Sequence, residues 1–271
     1  MEYTQKEQEH LQEVAKISNE FASKTELPIY FMLIPNSIYI QQDKLPDNVI
    51  PYNQEEIINQ FYQQLDGNIK TIQVSDILME NKEKYIYFKT DHHMTSLGAY
   101  LVYTKLCETA NLEAEELSNF EQKTVSEEFL GTFDSKAQIL NQEKDKIEIY
   151  VNPKNLDLKS VEYDKETTQS IFNEEYLEKK DKYSYFLNGN NAKVVVKTKV
   201  ENGKKLLVIK DSYAHIMAPF LCQNYEEIHF IDPRYYKASI TEYVAQNEIT
   251  DILFLYNVSN LLTDLGILSI H

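Results

Sequence analysis

The sequence predicts an α/β protein with helices on both faces of a mainly parallel sheet (a three-layer α/β/α arrangement) and a β-rich insertion. Strand-like apolar runs alternate with amphipathic helix patterns near both ends of the chain, over short connections. The run LPIYFMLIP is almost continuously apolar, which is typical of a strand buried on both faces. Residues 115–200 are instead polar, with short alternating stretches such as KIEIYV and AKVVVKTKV. We therefore expect one domain over residues 1–271, with an insertion at about 115–200.

The individual elements follow from hydrophobic periodicity and from capping residues. In the first predicted helix, Leu11, Val14 and Phe21 fall on one face. Asn53 can cap a second helix that carries acids in its first turn, and Thr95 can cap a third. The other predictions, in chain order, are strands in LPIYFMLIP, NIKTI and KYIYFKT (residues 85–89), and, after the insertion, strands in KKLLVIK, EEIHFI and DILFLY that alternate with helices in SYAHIMAPFLCQN, ITEYVAQN and SNLLTDLG.

Composition and charge narrow the range of functions. The net charge of -16 argues against nucleic acid as a partner, because proteins that bind it gather Lys and Arg into a basic patch. The sequence has no run of 18 apolar residues and no basic segment followed by an apolar one, so it shows neither a membrane span nor an export signal. Its polar start is equally compatible with a native N-terminus and with an export signal or anchor that precedes Met1 in the full-length protein.

Polar side chains follow four of the predicted strands. The clusters are Asp91-His92-His93 after residues 85–89, Lys210-Asp211-Ser212 after 205–209, Asp232-Pro233-Arg234 after 228–231, and Asn257 after 251–256. Ligands of open α/β sheets bind outside the carboxyl ends of the strands, so we expect these clusters to share one edge. They supply an acid, a base, a hydroxyl nucleophile and hydrogen-bond donors, which is the set that acyl transfer needs. Ser212 lies where a strand turns into a helix, so its backbone N–H is expected to point into the site.

Each cluster also has a purely structural explanation. A serine at a helix N-terminus is most often an N-cap, adjacent histidines at a strand end are most often solvated, and Asp-Pro-Arg is most often a turn. His215, one helical turn after Ser212, is expected on the helix surface. The presence of all four clusters at one predicted sheet edge is what favours a functional site.

Several segments resemble a known family. TDHHMTSLGAY resembles the signature of the DHHW proteins, and LLVIKDSYAHIMAPFL and EEIHFIDPRYY are similar to that family's second and third conserved blocks. EEFLGTFDSKAQ and DKYSYFLNGN, within the insertion, also look like family segments. The family belongs to the SGNH-hydrolase-like superfamily, whose relatives include the O-acetyltransferases of bacterial alginate assembly. The resemblance runs from about residue 25 to the C-terminus, and it implies an SGNH-hydrolase-like fold.

The resemblance also implies roles for residues of two clusters. In the alginate O-acetyltransferases an Asp-x-His lies upstream of the nucleophilic serine, and it maps here to Asp91 and His93. Ser212 is then the nucleophile, His93 its general base, and Asp91 the acid that orients the base. This assignment requires the His93 side chain to come within hydrogen-bond reach of Ser212.

The sequence departs from the superfamily pattern around the oxyanion hole. SGNH enzymes use a glycine and an asparagine on later strands, and the matching strand ends here offer Arg234 and Asn257. Together with His92 and Tyr213, these two residues are the candidates for oxyanion stabilisation or substrate binding. Met94 stands where the family usually has tryptophan, which changes one expected wall of the site.

The resemblance implies a serine acyl-ester enzyme, an O-acetyltransferase or acetylesterase that acts on an exported cell-surface or cell-wall polysaccharide through an acyl-Ser212 intermediate. The expected partners are an acetylated or acceptor glycan and a membrane protein that donates the acyl group. No cofactor or metal is expected, because serine acyl transfer needs none. The implied location is the extracytoplasmic side of a bacterial cell envelope, in secreted or membrane-anchored form.

Two other functions compete with this interpretation. The letters DHH alone suggest a metal-dependent phosphoesterase, but such enzymes need further Asp and His motifs in glycine-rich loops, and the six glycines here are not clustered. The second is an inactive module of the same fold that binds a cell-surface glycan without turning it over. Met94 and the missing oxyanion glycine favour this second alternative.

Overall fold

The computed structural model describes residues 3–138, 140–153 and 157–270. Its strands are β1 (Ile29–Ile34), β2 (Ile69–Ile72), β3 (Glu121–Phe129), β4 (Asp145–Val151), β5 (Ser160–Glu162), β6 (Thr167–Thr168), β7 (Lys193–Lys197), β8 (Lys205–Lys210), β9 (Glu227–Ile231) and β10 (Asp251–Asn257). Its α-helices are α1 (Gln5–Ala22), α2 (Ser37–Ile40), α3 (Gln54–Tyr62), α4 (Ser75–Glu80), α5 (Ser96–Ala110), α6 (Thr132–Ala137), α7 (Ala218–Leu221), α8 (Ile240–Gln246) and α9 (Val258–Leu261). Short 3₁₀ helices cover Gln42–Lys44, Leu117–Asn119, Glu174–Glu178, Lys182–Tyr185, Ser212–Met217 and Ile267–Ser269.

The main sheet, within the described residues, has eight strands in the order β2-β1-β10-β8-β9-β7-β5-β6. The five strands from β2 to β9 in this order pair in parallel, whereas β7, β5 and β6 continue the sheet in antiparallel pairing. Helices α1, α3, α8 and α9 bury side chains against one face, and α4, α5 and α7 bury side chains against the other. The predicted three-layer α/β/α class with a mainly parallel sheet is therefore confirmed.

Strand β1 shows why the central strands have continuous apolar sequences. All of its side chains are buried, and they alternate between the two cores, as Phe31 and Met32 do. Phe31 stacks on Phe254 of the neighbouring β10, with ring centroids 5.0 Å apart. Because a helical layer lies on each side of the strand, neither face offers a solvated position for a polar residue.

The segment 115–200 is rich in strands, as its alternating sequence predicts. Strands β3 and β4 form a separate antiparallel ribbon, while β5, β6 and β7 extend the main sheet beyond β9. Its buried residues Phe129, Ile147 and Tyr183 belong to the same core as α5. The insertion is thus packed against the face of the sheet that carries α5, and this packing matters for the site.

The strand predicted at residues 85–89 is wrong. Apart from an isolated bridge between Tyr87 and Met94, this segment is an irregular, bent loop. Its apolar residues Ile86, Tyr87 and Phe88 are all buried without pairing to β2, the strand at that edge of the sheet. The apolar run therefore reflects burial of a loop under α5 and the insertion, and burial alone does not distinguish such a loop from a strand.

The single helix predicted over SYAHIMAPFLCQN is instead a 3₁₀ helix, Ser212–Met217, followed by α7. Pro219 lies in the first turn of α7, and it has no N–H to continue the α-helical hydrogen bonds of the preceding turn. The break keeps Ser212 on a short, tight turn directly after β8.

In the described residues, no helix is long and apolar enough to cross a membrane.

Candidate active site

The parallel strands bring three of the predicted clusters to one edge of the sheet. Ile34 of β1 is paired with Asn257 of β10, and Leu255 of β10 with Lys210 of β8, so these strands end at similar heights. Ser212 follows β8, and Asp232 follows the adjacent β9. The fourth cluster, Asp91-His92-His93, lies in the loop before α5. This loop brings it to the same edge of the sheet, although no strand precedes it.

A continuous chain of hydrogen bonds joins Ser212, His93 and Asp91. His93 Nε2 lies 2.8 Å from Ser212 Oγ, and His93 Nδ1 lies 2.6 Å from Asp91 Oδ1. With Nδ1 protonated and donating to Asp91, Nε2 is free to accept the Ser212 hydroxyl proton. The structure thus brings together the three residues assigned to catalysis, in the order that activation of a serine requires.

The electrostatics of this chain favour a neutral His93 beside an ionised Asp91. Burial lowers the pKa of His93 to about 4, although the hydrogen bond that His93 donates to Asp91 works in the opposite direction. Burial alone would raise the pKa of Asp91, but its contacts with His92 and His93 outweigh burial and hold that pKa well below its usual range. At neutral pH His93 is therefore in the form that can accept a proton.

The second oxygen of Asp91 is held by the insertion. The backbone N–H of Thr132 donates to Asp91 Oδ2 at 2.8 Å, while the backbone N–H of His93 donates to Oδ1. Gly131 makes this approach possible, because a Cβ at that position would lie 2.2 Å from the Cβ of Asp91. Asp91 is consequently fixed from both sides, in a carboxylate orientation that matches the imidazole of His93.

Asp145, at the start of β4, holds the loop that carries these residues. Its buried carboxylate accepts the backbone N–H groups of Lys89 and Thr90, the hydroxyl of Thr90 at 2.6 Å, and the hydroxyl of Tyr85. These bonds satisfy backbone groups that a strand would have paired with a neighbouring strand. Sequence reasoning missed Asp145, since nothing distinguishes one acid among many in a polar, Glu- and Lys-rich segment.

Asp211 organises the turn around Ser212. Its carboxylate accepts the backbone N–H of Tyr213 at 2.8 Å, the backbone N–H of Asn257 at 2.9 Å and the side-chain amide of Asn260. Within the described part of the chain, the backbone N–H of Ser212 has no hydrogen-bond acceptor. It is therefore the donor beside Ser212 Oγ that is left to bind a developing oxyanion, as expected from its place after β8.

Two of the sequence-based oxyanion candidates have structural partners. Asn257 is buried, its Nδ2 donates to the carbonyl of Ile34, and its Oδ1 accepts from Asn36. The Tyr213 side chain is also buried, and its hydroxyl donates to the carbonyl of His92. Both residues support the sheet edge and the loop of Asp91 and His93, and neither directs its side chain donor at Ser212.

The other two candidates are partly exposed and pair with other residues. Arg234 is partly exposed and donates through Nε and Nη2 to Asp232; in the described residues it makes no hydrogen bond to Ser212 or His93. His92 is also partly exposed, and its Nδ1 lies 2.8 Å from Thr132 Oγ1. Neither side chain belongs to the hydrogen-bond chain of Ser212; His92, whose ring lies 3.8 Å from that of His93, is adjacent to it.

The surface position expected for His215 is wrong. His215 is buried, with Nε2 located 2.8 Å from Nζ of Lys210, which is itself buried and 3.3 Å from Asp232. Burial lowers the pKa of both His215 and Lys210. The expectation rested on the usual surface position of helix histidines, whereas His215 here is enclosed and paired with Lys210.

A metal ion has one possible position among the described residues. The potential ligand atoms of Asp91, His92 and His93 lie within 4.8 Å of one another, and two imidazoles with a carboxylate are a common ligand set. Both ring nitrogens of His93 are already hydrogen-bonded, to Asp91 and Ser212, and His92 bonds Thr132. Metal binding would therefore have to break the hydrogen-bond chain of Ser212.

Comparisons with known proteins agree with this fold. The family model described as DHHW protein matches residues 4–231. A DHHW family protein from Eubacterium siraeum is 27% identical in sequence over 95% of this chain and 88% of its own, with a TM-score of 0.85. PatB1 from Bacillus cereus, in a structure with a sulfonyl adduct, is 22% identical in sequence, with a TM-score of 0.83. The match covers 99% of this chain and 94% of the PatB1 chain. The O-acetyltransferase domain of AlgJ from Pseudomonas putida is 10% identical in sequence, with a TM-score of 0.58. The match covers 97% of this chain and 87% of the AlgJ domain. Among curated protein sequences, none matches the chain significantly.

Proposed function

We propose that this chain, which belongs to the DHHW protein family, is a serine acyl-ester enzyme that acts through an acyl-Ser212 intermediate. The observation that carries the proposal is the hydrogen-bonded chain from Ser212 through His93 to Asp91. Two similarities support it: the fold is shared with a domain named as an O-acetyltransferase and with PatB1, whose structure contains a sulfonyl adduct. Sulfonyl adducts are typical products of activated nucleophiles, among them serine.

The first half of the reaction follows from the positions of the three side chains. Ser212 Oγ attacks the acyl carbonyl carbon while its proton passes to His93 Nε2, and Asp91 stabilises the resulting imidazolium through Nδ1–H. The backbone N–H of Ser212 donates to the oxyanion that forms on the acyl oxygen. His93 then returns the proton to the departing alkoxide, which leaves as an alcohol, and the acyl group remains esterified to Ser212.

The second half repeats these steps with a new nucleophile. His93 takes a proton from an incoming hydroxyl, whose oxygen attacks the acyl carbon, and Ser212 leaves with the proton that His93 gives back. A sugar hydroxyl in this role gives an O-acetyltransferase, and water gives an acetylesterase. We propose an exported cell-surface or cell-wall polysaccharide as the acetylated or accepting glycan, a membrane protein as the acyl donor, and an extracytoplasmic location.

A cavity beside Asp91 offers space for part of a substrate. It has a volume of about 300 Å³ and borders Asp91, with Thr132, Ser135, Lys180 and Asp181 among its lining residues. The lining also includes Phe129 and Leu130, so the cavity combines apolar contact area with a few polar groups, which is the usual composition of a small-molecule site. The partly exposed His92 lies next to this cavity, because its ring nitrogen contacts Thr132.

Covalent labelling tests the proposal directly. After incubation with p-nitrophenyl acetate and an acid quench, the intact protein is expected to carry one acetyl group, which peptide mapping locates on Ser212. The Ser212→Ala variant should remain unlabelled, whereas Ser239→Ala, which changes another serine at a helix N-terminus, should be labelled normally. A wild-type protein that gains no acetyl group and hydrolyses no ester would instead favour the inactive glycan-binding module.

Removal of metal ions tests whether the activity comes from the proposed serine mechanism or from a metal centre. We expect esterase activity to be unchanged after dialysis against EDTA, since the proposed steps use only protein groups. The measurement is the rate with p-nitrophenyl acetate before and after chelation, and again after addition of Zn²⁺ or Mn²⁺. Activity that disappears with EDTA and returns with either metal would assign Asp91, His92 and His93 to a metal centre.

A further inference from the structure

We propose that Tyr183 is a positioning residue that joins the general base to the nucleophile, an inference that rests on the proposed function. Its ring stacks on the imidazole of His93, with centroids 3.5 Å apart and planes 6° apart. Its hydroxyl donates to the backbone carbonyl of Ser212 at 3.0 Å. One side chain of the insertion thus contacts both residues between which the proton passes.

The stacking restricts the plane of the imidazole. The bonds from His93 to Asp91 and Ser212 both lie along ring nitrogens, so they remain aligned only while the ring keeps one plane. A parallel aromatic ring at contact distance opposes rotation out of that plane. It also excludes water from one face of His93, and both rings are almost completely buried.

The hydroxyl fixes the turn that carries Ser212. Burial, together with the nearby charge of Asp91, raises the pKa of Tyr183 well above its ordinary value, so the hydroxyl stays protonated and donates throughout the working pH range. By holding the Ser212 carbonyl, Tyr183 limits rotation of the backbone next to Oγ. The proposed oxyanion donor, the backbone N–H of Ser212, belongs to the same residue.

Removal of the Tyr183 ring should change how His93 titrates. The titratable groups that face His93 are Asp91 and His92 from its own loop, Asp181 and Tyr183 from the insertion, and Tyr213 and His215 from the turn after β8. Burial is the main cause of the low pKa of His93. A smaller side chain at position 183 admits water to the imidazole, which favours its charged form and moves the pKa up toward the ordinary value of about 6.5.

The experiment compares three variants of the full chain by their pH profiles of kcat/KM with p-nitrophenyl acetate. For Tyr183→Leu we expect the acid limb to move up by at least one pH unit and kcat to fall about tenfold or more, with little change in KM. Tyr185→Leu is the matched control, because Tyr185 is equally buried in the same 3₁₀ helix but stacks on Phe172. An acid limb that is unchanged in Tyr183→Leu, or that moves equally in Tyr185→Leu, would overturn the proposal.

Tyr183→Phe keeps the ring and removes only the hydroxyl, so it decides the question if the leucine variant does not fold. It should lower kcat about threefold to tenfold, as loss of one hydrogen bond does, while the acid limb stays in place. A kcat equal to that of the wild type would contradict the positioning role. Acetyl labelling of Ser212 in the wild type keeps the tests separate: absence of a label refutes the proposed function, and a label with unaffected variants refutes only the role of Tyr183.

Discussion

Ser212→Ala should lower turnover of p-nitrophenyl acetate by at least about 10³-fold, because no acyl intermediate can form without the Oγ nucleophile. In the folded variant, His93 and Asp91 would keep their mutual hydrogen bond, and His93 would lose only its contact with Ser212. The measurement is kcat at neutral pH, with circular dichroism to establish that the variant is folded. The residual rate would report what the backbone N–H of Ser212 and substrate binding contribute on their own.

A double variant provides the control for this prediction. Residues that act as one catalytic unit show effects that do not add, so Ser212→Ala combined with His93→Ala should be hardly slower than Ser212→Ala alone. If the losses of the two single variants multiplied instead, His93 would act independently of Ser212. A Ser212→Ala variant with more than about a tenth of the wild-type rate would rule out the acyl-Ser212 intermediate altogether.

The parts of the fold that could be predicted are those in which local sequence and tertiary environment agree. Strand β1 lies between two helical layers, and its continuous apolar sequence carries that information. Because parallel strands align their carboxyl ends, the parallel direction of β8 and β9 also places Ser212 and Asp232 at one edge of the sheet. The segment 85–89 has a similar apolar pattern but no strand partner, and its path depends on hydrogen bonds that the backbone N–H groups of Lys89 and Thr90 donate to Asp145.

The parts of the site that could not be predicted depend on contacts between distant segments. Asp145 is 55 positions from Thr90, and Thr132 is 41 from Asp91. Tyr183 is 29 positions before Ser212, in a polar segment with many other tyrosines and acids. No periodicity marks such residues, since their function depends on a single contact and not on a repeating face.

These long-range contacts give the insertion a specific part in the site. The sheet edge supplies Ser212 and its turn, whereas the insertion surrounds the loop of His93 through Asp145, Thr132 and Tyr183. His93 is therefore positioned by a segment outside the parallel part of the sheet. Changes within residues 115–200 can accordingly alter the alignment of His93 without affecting β8, the strand that leads to Ser212.

Asp91→Asn is expected to lower kcat by about 10³- to 10⁴-fold, although the substitution preserves shape. Asp91 Oδ1 accepts two N–H groups of His93, and Oδ2 accepts the N–H of Thr132. An asparagine must place its NH₂ group against one of these donors. With NH₂ toward the ring, Nδ1 becomes the acceptor and the proton moves to Nε2, which can then no longer take the proton of Ser212. With NH₂ toward Thr132, two donors face each other and the imidazolium loses its counter-charge.

The pH profile of the rate distinguishes a wrong tautomer or a missing counter-charge in Asp91→Asn from a simple shift in the pKa of His93. Activity requires neutral His93, so the wild-type rate should rise as pH increases through the pKa of about 4 and stay level above it. In Asp91→Asn the error lies in the tautomer or in the missing charge, and no increase in pH can correct either one. The profile should therefore be lowered at every pH. Asp66→Asn is the control, because this exposed carboxylate precedes β2, at the opposite end of the parallel strands from Ser212, and its substitution should leave the activity unchanged. Because Asp91 raises the pKa of His93, an effect on that pKa alone would move the acid limb of Asp91→Asn to lower pH and leave the rate at neutral pH unchanged. That result would mean that Asp91 only tunes the pKa of His93 and does not orient it.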